Sequence, residues 1–249
     1  MKRKLAANTL VFLEQLKNGV LQEEFLPPFY HLGFSIVEIR REFIKNLEAE
    51  SKVIKEMAEK YQLEIYYSVP ELLYDEGKLL YDNLLIYFKE AKAFHAKSVK
   101  LCIGNFNKVS QEDIDKVNQL CEEFELLLTI ENDQTPDNGR IDKILKFLEV
   151  GKAFGSKIQA TFDVGNWLWQ HEDPITNAKL LKQYVTYIHL KDVKGGESPY
   201  TVLLDEGEID WRGVLNELPQ VPLALEYPCG TYDQELLVLE VEKIRKEYT

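Results

Sequence analysis

The sequence predicts an α/β fold, a single-domain (β/α)8 TIM barrel, and three observations lead to this prediction. The chain has 249 residues, and a barrel of this kind needs roughly 250. Short runs of β-branched and aromatic residues alternate with longer stretches whose apolar residues lie three or four apart. The alternation repeats eight times, which is the number of parallel strands that closes a barrel. No linker rich in proline, glycine or serine interrupts it, so we interpret residues 1–249 as one domain.

Each predicted strand is a short apolar run that a helical pattern follows. In chain order the predicted strands are Thr9–Phe12, Ile36–Arg40, Glu64–Val69, Val99–Ile103, Leu126–Glu131, Ile158–Asp163, Tyr187–Lys191 and Leu223–Tyr227. Four helical patterns are clear and begin near Leu47, Leu80, Ile114 and Ile141. Further helices are expected over residues 13–26, 175–185 and 234–247.

An open doubly wound sheet is the structural alternative. Such a sheet usually carries a glycine-rich phosphate turn after its first strand, and the segment Val11–Glu14 contains no glycine. Within the barrel interpretation, Pro27 and Pro28 should interrupt the first helix. Gly33 suits a helix end before the second strand.

The composition describes a folded protein with an acidic surface. Hydrophobic residues make up 45% and charged residues 29%, which excludes bulk disorder. The formal net charge is -12, and such a surface repels phosphate backbones and anionic lipid. No apolar run approaches the ~18 residues of a membrane span. We therefore expect neither nucleic acid nor a membrane as a partner.

The amino-terminal segment and the cysteines bear on the compartment. The basic start Met1–Lys4 resembles the first part of a signal peptide, but Asn8, Thr9, Glu14 and Gln15 interrupt the apolar stretch that should follow. We therefore expect a mature cytoplasmic protein. The three cysteines have no close pairing, so neither a disulfide framework nor a zinc ribbon is expected: Cys102, Cys121 and Cys229.

Side chains alternate between the two faces of a strand, and this separates an apolar set from a polar set. On the fifth strand, for example, Leu128 and Ile130 take one parity, and Thr129 and Glu131 take the other. The polar set should face the barrel interior. In the late strands its last ionisable residues are Glu131, Asp163, His189 or Lys191, and Glu226. Barrels of this type place their chemistry at the carboxyl ends of the strands, so we predict one polar pocket lined from several strands.

Three buried carboxylates need compensation, because each buried ion costs several kcal/mol. A divalent cation could bind the three carboxylates and the His189 imidazole, a ligand set suited to Mn²⁺, Mg²⁺, Co²⁺ or Zn²⁺. Alternatively, Lys100, Lys191 and Arg40 could neutralise the carboxylates in a metal-free salt-bridge network. On the second strand, Glu38 and Arg40 are interpreted as an interior ion pair and Glu42 as a surface acid, with a substrate-contacting set of the three as the alternative.

Five motifs at predicted strand ends or in the last long connection resemble those of the sugar phosphate isomerase/epimerase family, which has the xylose isomerase-like barrel. In order along most of the chain they are Thr129–Asn132, Phe162–Trp167, Ile188–Asp192, Gly207–Trp211 and Leu225–Tyr227. The resemblance implies that Glu131, Asp163, His189 and Glu226 are metal ligands. It also implies that Glu131 and Glu226 exchange the proton during isomerisation or epimerisation.

The same family includes an apurinic endonuclease branch that adds several histidines for a multi-metal cluster. This sequence has four histidines in all, and Asn166 stands where that branch has a histidine after its aspartate. The missing ligands and the negative charge argue against DNA repair.

Isomerisation and epimerisation of a sugar both move a proton on a carbon atom next to a carbonyl group, and this step uses a metal ion and two carboxylates. Removing the proton gives an enediolate, which a divalent ion on the carbonyl and hydroxyl oxygens stabilises. Two carboxylates on opposite sides of the substrate can take the proton and return it, which suits Glu131 and Glu226. We therefore expect an isomerase or epimerase of carbohydrate metabolism that uses one divalent metal ion.

The expected partner is a small-molecule sugar or a sugar-derived substrate. Its contacts are predicted to come from Lys191, Lys100, Asn166, His171 and Trp167, of which the last two follow Asp163 on a loop that could cover the ligand. A homodimer is left open, because many barrels pair. Two alternative functions remain: a metal-dependent dehydratase of a keto-polyol or sugar acid, and a non-catalytic sugar-binding protein of the same fold.

Overall fold

Eight parallel strands close a barrel in the computed structural model, which describes residues 3–230 and 234–248. The strands are β1 (Leu5–Asn8), β2 (Ile36–Arg40), β3 (Glu64–Asp75), β4 (Ser98–Gly104), β5 (Leu127–Glu131), β6 (Gln159–Asp163), β7 (Val185–Leu190) and β8 (Leu223–Leu225). Each strand pairs with its neighbours in chain order, and β8 pairs with β1. The predicted (β/α)8 TIM barrel is therefore confirmed, and the open sheet is excluded.

Helices connect the strands on the outside of the barrel. They are α1 (Leu13–Lys17), α2 (Leu26–His31), α3 (Leu47–Tyr61), α4 (Tyr81–Ala93), α5 (Gln111–Phe124), α6 (Ile141–Ala153), α7 (Pro174–Leu181), α8 (Trp211–Glu217) and α9 (Glu235–Tyr248). After β7 the chain forms a two-stranded antiparallel hairpin from Asp192–Lys194 and Tyr200–Val202. None of the helices within residues 3–230 and 234–248 is long and apolar enough to cross a membrane.

The first strand lies four residues earlier than the sequence pattern indicated. The predicted strand Thr9–Phe12 is a 3-10 helix, and the strand is β1. The reason is local: the Asn8 side chain accepts a hydrogen bond from the Leu10 backbone N–H and caps the 3-10 turn. The inward-facing residue at the end of the strand is therefore Asn8.

The two prolines start a helix instead of interrupting one. Pro27 and Pro28 lie in the first turn of α2, where a backbone N–H has no partner within the helix. Gly33 follows this helix with a φ of 75°, a left-handed conformation that favours glycine, so the predicted helix end is confirmed.

The two faces of the barrel wall differ as the strand alternation predicts. Outward side chains such as Val37, Ile39 and Leu101 are fully buried beneath the helices. At the amino-terminal end of the interior, a small apolar cluster fills the barrel: Ala6, Ile36, Tyr187 and Ala224, with Tyr66 packed against them. Because side chains fill this end, the polar inward positions collect at the carboxyl end of the strands.

Candidate active site

The inward side chains at the carboxyl ends of β5 to β8 converge. Glu131 and Asp163 end their strands, His189 is the penultimate residue of β7, and Glu226 directly follows β8. One ligand atom from each of the four lies within 4.8 Å of every other. All four residues are at most 5% exposed. The structure thus brings together the four predicted metal ligands from four separate strands.

His189 is held from both sides of its ring. Its Nδ1 lies 2.5 Å from Glu131 Oε1 and 3.3 Å from Glu226 Oε2. Its Nε2 lies 2.8 Å from Glu38 Oε2, which also accepts a hydrogen bond of 2.9 Å from the Tyr187 hydroxyl. Carboxylates only accept hydrogen bonds, so Nε2 carries a proton that it donates to Glu38. Nδ1 is therefore the nitrogen that faces the ligand set, and Glu38 fixes this orientation.

Glu38 is a residue whose role the sequence pattern did not reveal. The expected pair of Glu38 with Arg40 is wrong: Arg40 Nη1 donates to Glu226 Oε1 at 3.0 Å, and Arg40 Nε donates to Glu42 Oε1 at 2.6 Å. The inward parity of Glu38 was readable from the sequence. Its partner was not, because β2 and β7 lie apart on the barrel wall and meet only across the interior.

The two glutamates each direct their oxygens to different partners. Glu131 turns Oε1 to His189 and accepts a hydrogen bond of 2.5 Å from Lys100 Nζ on Oε2. Glu226 turns Oε2 to the ligand set and accepts from Arg40 on Oε1. One oxygen of each glutamate is thus available to a metal ion, while a cation holds the other.

Asp163 combines a structural contact with a place in the ligand set. Its Oδ1 accepts hydrogen bonds from the backbone N–H groups of Gly165 (2.9 Å) and Asn166 (2.8 Å), so it shapes the turn that follows β6. Its Oδ2 is buried and has no hydrogen bond of normal geometry. The Lys191 ammonium lies 2.7 Å from this oxygen at ion-pair distance. Burial raises the pKa of Asp163 to about 7, although Lys191 opposes the shift.

Opposite charges outweigh burial for the other members of the site. Burial alone would raise the pKa of Glu131, but Lys100 and His189 lower it to about 2. Burial would raise the pKa of Glu226 as well, but the positive charges of His189 and Lys191 lower it well below its usual value. Burial lowers the pKa of His189, yet Glu226, Glu38 and Glu131 raise it well above its usual value. With carboxylates at both ring nitrogens, the metal-free imidazole is protonated.

The donor set fits a divalent metal ion. Three carboxylates and one imidazole nitrogen match the ligands of Mn²⁺, Mg²⁺, Co²⁺ or Zn²⁺. The Lys191 Nζ stands in for such a cation, because it lies 2.7 Å from Asp163 Oδ2 and 2.9 Å from Glu226 Oε2. The salt-bridge network that the sequence left as an alternative is also present, through Lys100, Lys191 and Arg40. The contacts of Lys100 and Arg40 are compatible with a metal ion, since they involve oxygens turned away from the ligand set, whereas Lys191 contacts oxygens within it.

A cavity of about 360 Å³ opens beside this cluster. Three of the five predicted substrate contacts line it, namely Lys191, Lys100 and Asn166. Other lining residues that sequence reasoning did not assign to a ligand are Leu10, Arg40, Pro70, Cys102, Asp133, Gln134 and Thr135. Arg40, Pro70 and Cys102 come from β2, β3 and β4, whereas Leu10 and residues 133–135 lie in segments whose conformation strand parity does not predict.

Trp167 and His171 do not lie where the sequence predicted. Trp167 is fully buried and packs against Phe162, with ring centroids 5.4 Å apart. The 3-10 helix Asn166–Gln170 turns this indole into the core. His171 ends the same helix with a φ of 57° and is exposed, outside the residues that line the cavity. Neither side chain lines this cavity, and their contact with a ligand stays a prediction.

Comparisons with known proteins agree with the fold. A family model described as the xylose isomerase-like TIM barrel matches residues 30–246. No curated protein matches the chain in sequence.

Several solved structures superimpose over nearly the whole chain. The probable 3-DHS dehydratase AsbF from Bacillus anthracis gives a TM-score of 0.72 at 16% identity, with 97% of this chain and 98% of that chain covered. D-allulose 3-epimerase from Methylomonas sp. gives 0.71 at 12% identity, with 99% of both chains covered. An AP endonuclease of family 2 from Brucella melitensis gives 0.69 at 13% identity, with 99% of this chain and 100% of that chain covered. At these identities the likeness shows the fold alone.

Proposed function

The chain belongs to the xylose isomerase-like TIM barrel family, and we propose that it is a divalent-metal-dependent sugar isomerase or epimerase. One observation carries the proposal. Glu131 and Glu226 enter a single buried donor set from β5 and β8, and each keeps its second oxygen outside that set. Such a pair can take a proton from a carbon atom next to a carbonyl group and return it. The similar fold of a D-allulose 3-epimerase supports a sugar as the substrate.

In this proposal Glu131, Asp163, His189 and Glu226 hold one divalent ion. When bound, the ion supplies a Lewis acid that withdraws electrons from the substrate carbonyl.

The side chains around the donor set prepare the two glutamates for proton transfer. Lys100 fixes Oε2 of Glu131, and Arg40 fixes Oε1 of Glu226. Both cations favour the ionised form of the carboxylate that they contact, so both glutamates are deprotonated at neutral pH. Lys191 and Asn166 line the cavity beside them and would bind substrate oxygens.

Isotope exchange tests this proposal most simply. The protein is incubated in D2O with Mn²⁺ and a panel of ketoses, and deuterium incorporation at carbon is followed by NMR. We expect exchange with the wild-type protein and with Glu56→Gln, a control at an exposed position of α3. We expect Glu131→Gln and Glu226→Gln each to abolish exchange while the circular dichroism spectrum is retained. Undiminished exchange in either variant contradicts the role of that glutamate.

A dehydratase is the second candidate, because the probable 3-DHS dehydratase superimposes as well as the epimerase does. Dehydration of a keto-polyol or a sugar acid begins with the same proton removal, and a hydroxyl group then leaves. In the same incubation, a dehydratase would produce a new ultraviolet absorbance and a product that has lost water. A non-catalytic sugar-binding protein would bind Mn²⁺ and ketose without exchange or absorbance change.

A further inference from the structure

We propose that the substrate of this site carries a carboxylate group, which Lys191 binds beside the metal ion. The inference rests on the proposed function, because it concerns the metal-loaded site.

Lys191 is a buried cation whose present partners are predicted metal ligands. Its side chain is 8% exposed, and its Nζ lies between Asp163 Oδ2 and Glu226 Oε2. Another polar contact is Asn166 Oδ1 at 3.5 Å. The aliphatic part of the side chain packs on Gly165, where an added Cβ would lie 2.4 Å from Lys191 Cγ. This close packing keeps the ammonium group at the cavity.

A divalent ion competes with Lys191 for its two carboxylate oxygens. Lys100 and Arg40 keep their partners in the loaded site, because Glu131 Oε2 and Glu226 Oε1 point away from the ligand set. Lys191 keeps no such oxygen. A buried ammonium group without an anion is strongly unfavourable, so metal binding leaves Lys191 in need of a new anionic partner.

The balance of buried charge leads to the same conclusion. Four buried carboxylates contact His189 or Lys191 among the described residues: Glu38, Glu131, Asp163 and Glu226. Three cations form ion pairs with these carboxylates: Arg40, Lys100 and Lys191. A metal-bound imidazole is neutral, so a divalent ion leaves an excess of one positive charge. This count covers the buried groups alone. At the rim, Glu42 is 33% exposed and pairs with Arg40, and Asp133 lines the cavity with its oxygens directed to Thr135 and Asn138.

An excess of one charge matches a carboxylate better than a phosphate. A phosphate group carries more charge and normally requires several backbone N–H donors or a second cation. The donors next to Lys191 are amide groups. Gln134 Nε2 donates to Asn166 Oδ1 at 3.4 Å and Asn166 Nδ2 donates to Asn132 O at 2.8 Å, so each amide has one further N–H for a ligand in the cavity. The matching substrate is therefore a keto acid with several hydroxyl groups, bound through its carboxylate to Lys191.

Two ligands with the same carbon skeleton test the inference. 2-Keto-D-gluconate is D-fructose with the C1 hydroxymethyl group replaced by a carboxylate, and D-fructuronate carries the carboxylate at C6. Binding of the three compounds to Mn²⁺-loaded protein is measured by calorimetry. An ammonium–carboxylate contact strengthens binding by roughly tenfold or more, so we expect at least one keto acid to bind about tenfold tighter than D-fructose.

Lys191→Met removes the charge and keeps the length of the side chain. We expect this variant to lose the preference for the keto acid and to bind Mn²⁺ at least as tightly as the wild type. Lys194→Met, at an exposed position of the hairpin that follows Lys191, should keep the preference.

Each outcome has one meaning. Equal binding of the acids and D-fructose by wild-type protein overturns the inference, as does a preference that Lys191→Met retains. If the variant does not fold, D-fructuronate decides, because its carboxylate at C6 cannot chelate Mn²⁺ together with the C2 carbonyl group. Failure to bind Mn²⁺ at all contradicts the proposed function itself. Mn²⁺ binding together with proton exchange on neutral ketoses, but not on keto acids, contradicts the inference and leaves the proposed function intact.

Discussion

Glu38 offers a sharp test of how the barrel prepares its metal site. The Glu38 carboxylate is fully buried, and its Oε2 accepts hydrogen bonds from His189 Nε2 and the Tyr187 hydroxyl. Removing such a partner of a metal-binding histidine typically costs about 10- to 100-fold in metal affinity. We therefore expect Glu38→Leu to weaken Mn²⁺ binding by about this factor, or roughly 1.4–2.8 kcal/mol.

The same substitution should also destabilise the metal-free protein. It leaves two buried donors, on His189 and Tyr187, without an acceptor, and each such loss costs about 1–3 kcal/mol. Glu38→Gln keeps an acceptor oxygen and removes only the charge, so its effect on Mn²⁺ affinity should lie between wild type and Glu38→Leu.

Calorimetric Mn²⁺ titration and urea unfolding measure the two effects separately. Tyr187→Phe is the matched control, because it removes the other donor to the same oxygen and leaves the contact between Glu38 and His189 in place. This control should lose stability with little change in metal affinity. Unchanged Mn²⁺ affinity in folded Glu38→Leu would refute the reasoning.

Two further predictions concern protons and Lys191. The raised pKa of His189 means that the metal-free ring carries a proton that a metal ion must displace. Mn²⁺ affinity should thus increase as the pH rises above neutral, with proton release seen as a buffer-dependent binding enthalpy; a pH-independent affinity contradicts this. Removing one partner of a buried ion pair costs about 3–5 kcal/mol. We expect Lys191→Met to lower the free energy of unfolding by an amount near the lower end of this range, because Asp163 can take up a proton when Lys191 is absent. Added Mn²⁺ should restore most of this loss in urea unfolding experiments, and an equal loss with and without Mn²⁺ would show that Lys191 and the metal ion do not share a position.

The barrel and the convergence of four residues could be predicted because both follow from strand parity. Alternation assigns Glu131, Asp163 and His189 to the inner face, and parallel strands bring their carboxyl ends to one end of the barrel. The ligand roles came from the family resemblance, and they stay predictions.

The errors arose where local hydrogen bonds or loop geometry override periodicity. Asn8 caps a 3-10 turn and ends the first strand, although the apolar run continues to Phe12. Trp167 follows a motif that lies at the site, yet a single helical turn carries its side chain into the core. The contact of Glu38 with His189 crosses the barrel interior, so neither strand alone contains the signal.

Anomalous scattering from crystals equilibrated with saturating Mn²⁺ tests the central claim most directly. We predict a manganese peak bounded by Glu131, Asp163, His189 and Glu226, with the Lys191 ammonium moved away from Asp163 Oδ2. A structure without a peak there, in which Lys191 keeps its contacts with Asp163 and Glu226 under saturating Mn²⁺, would contradict the account.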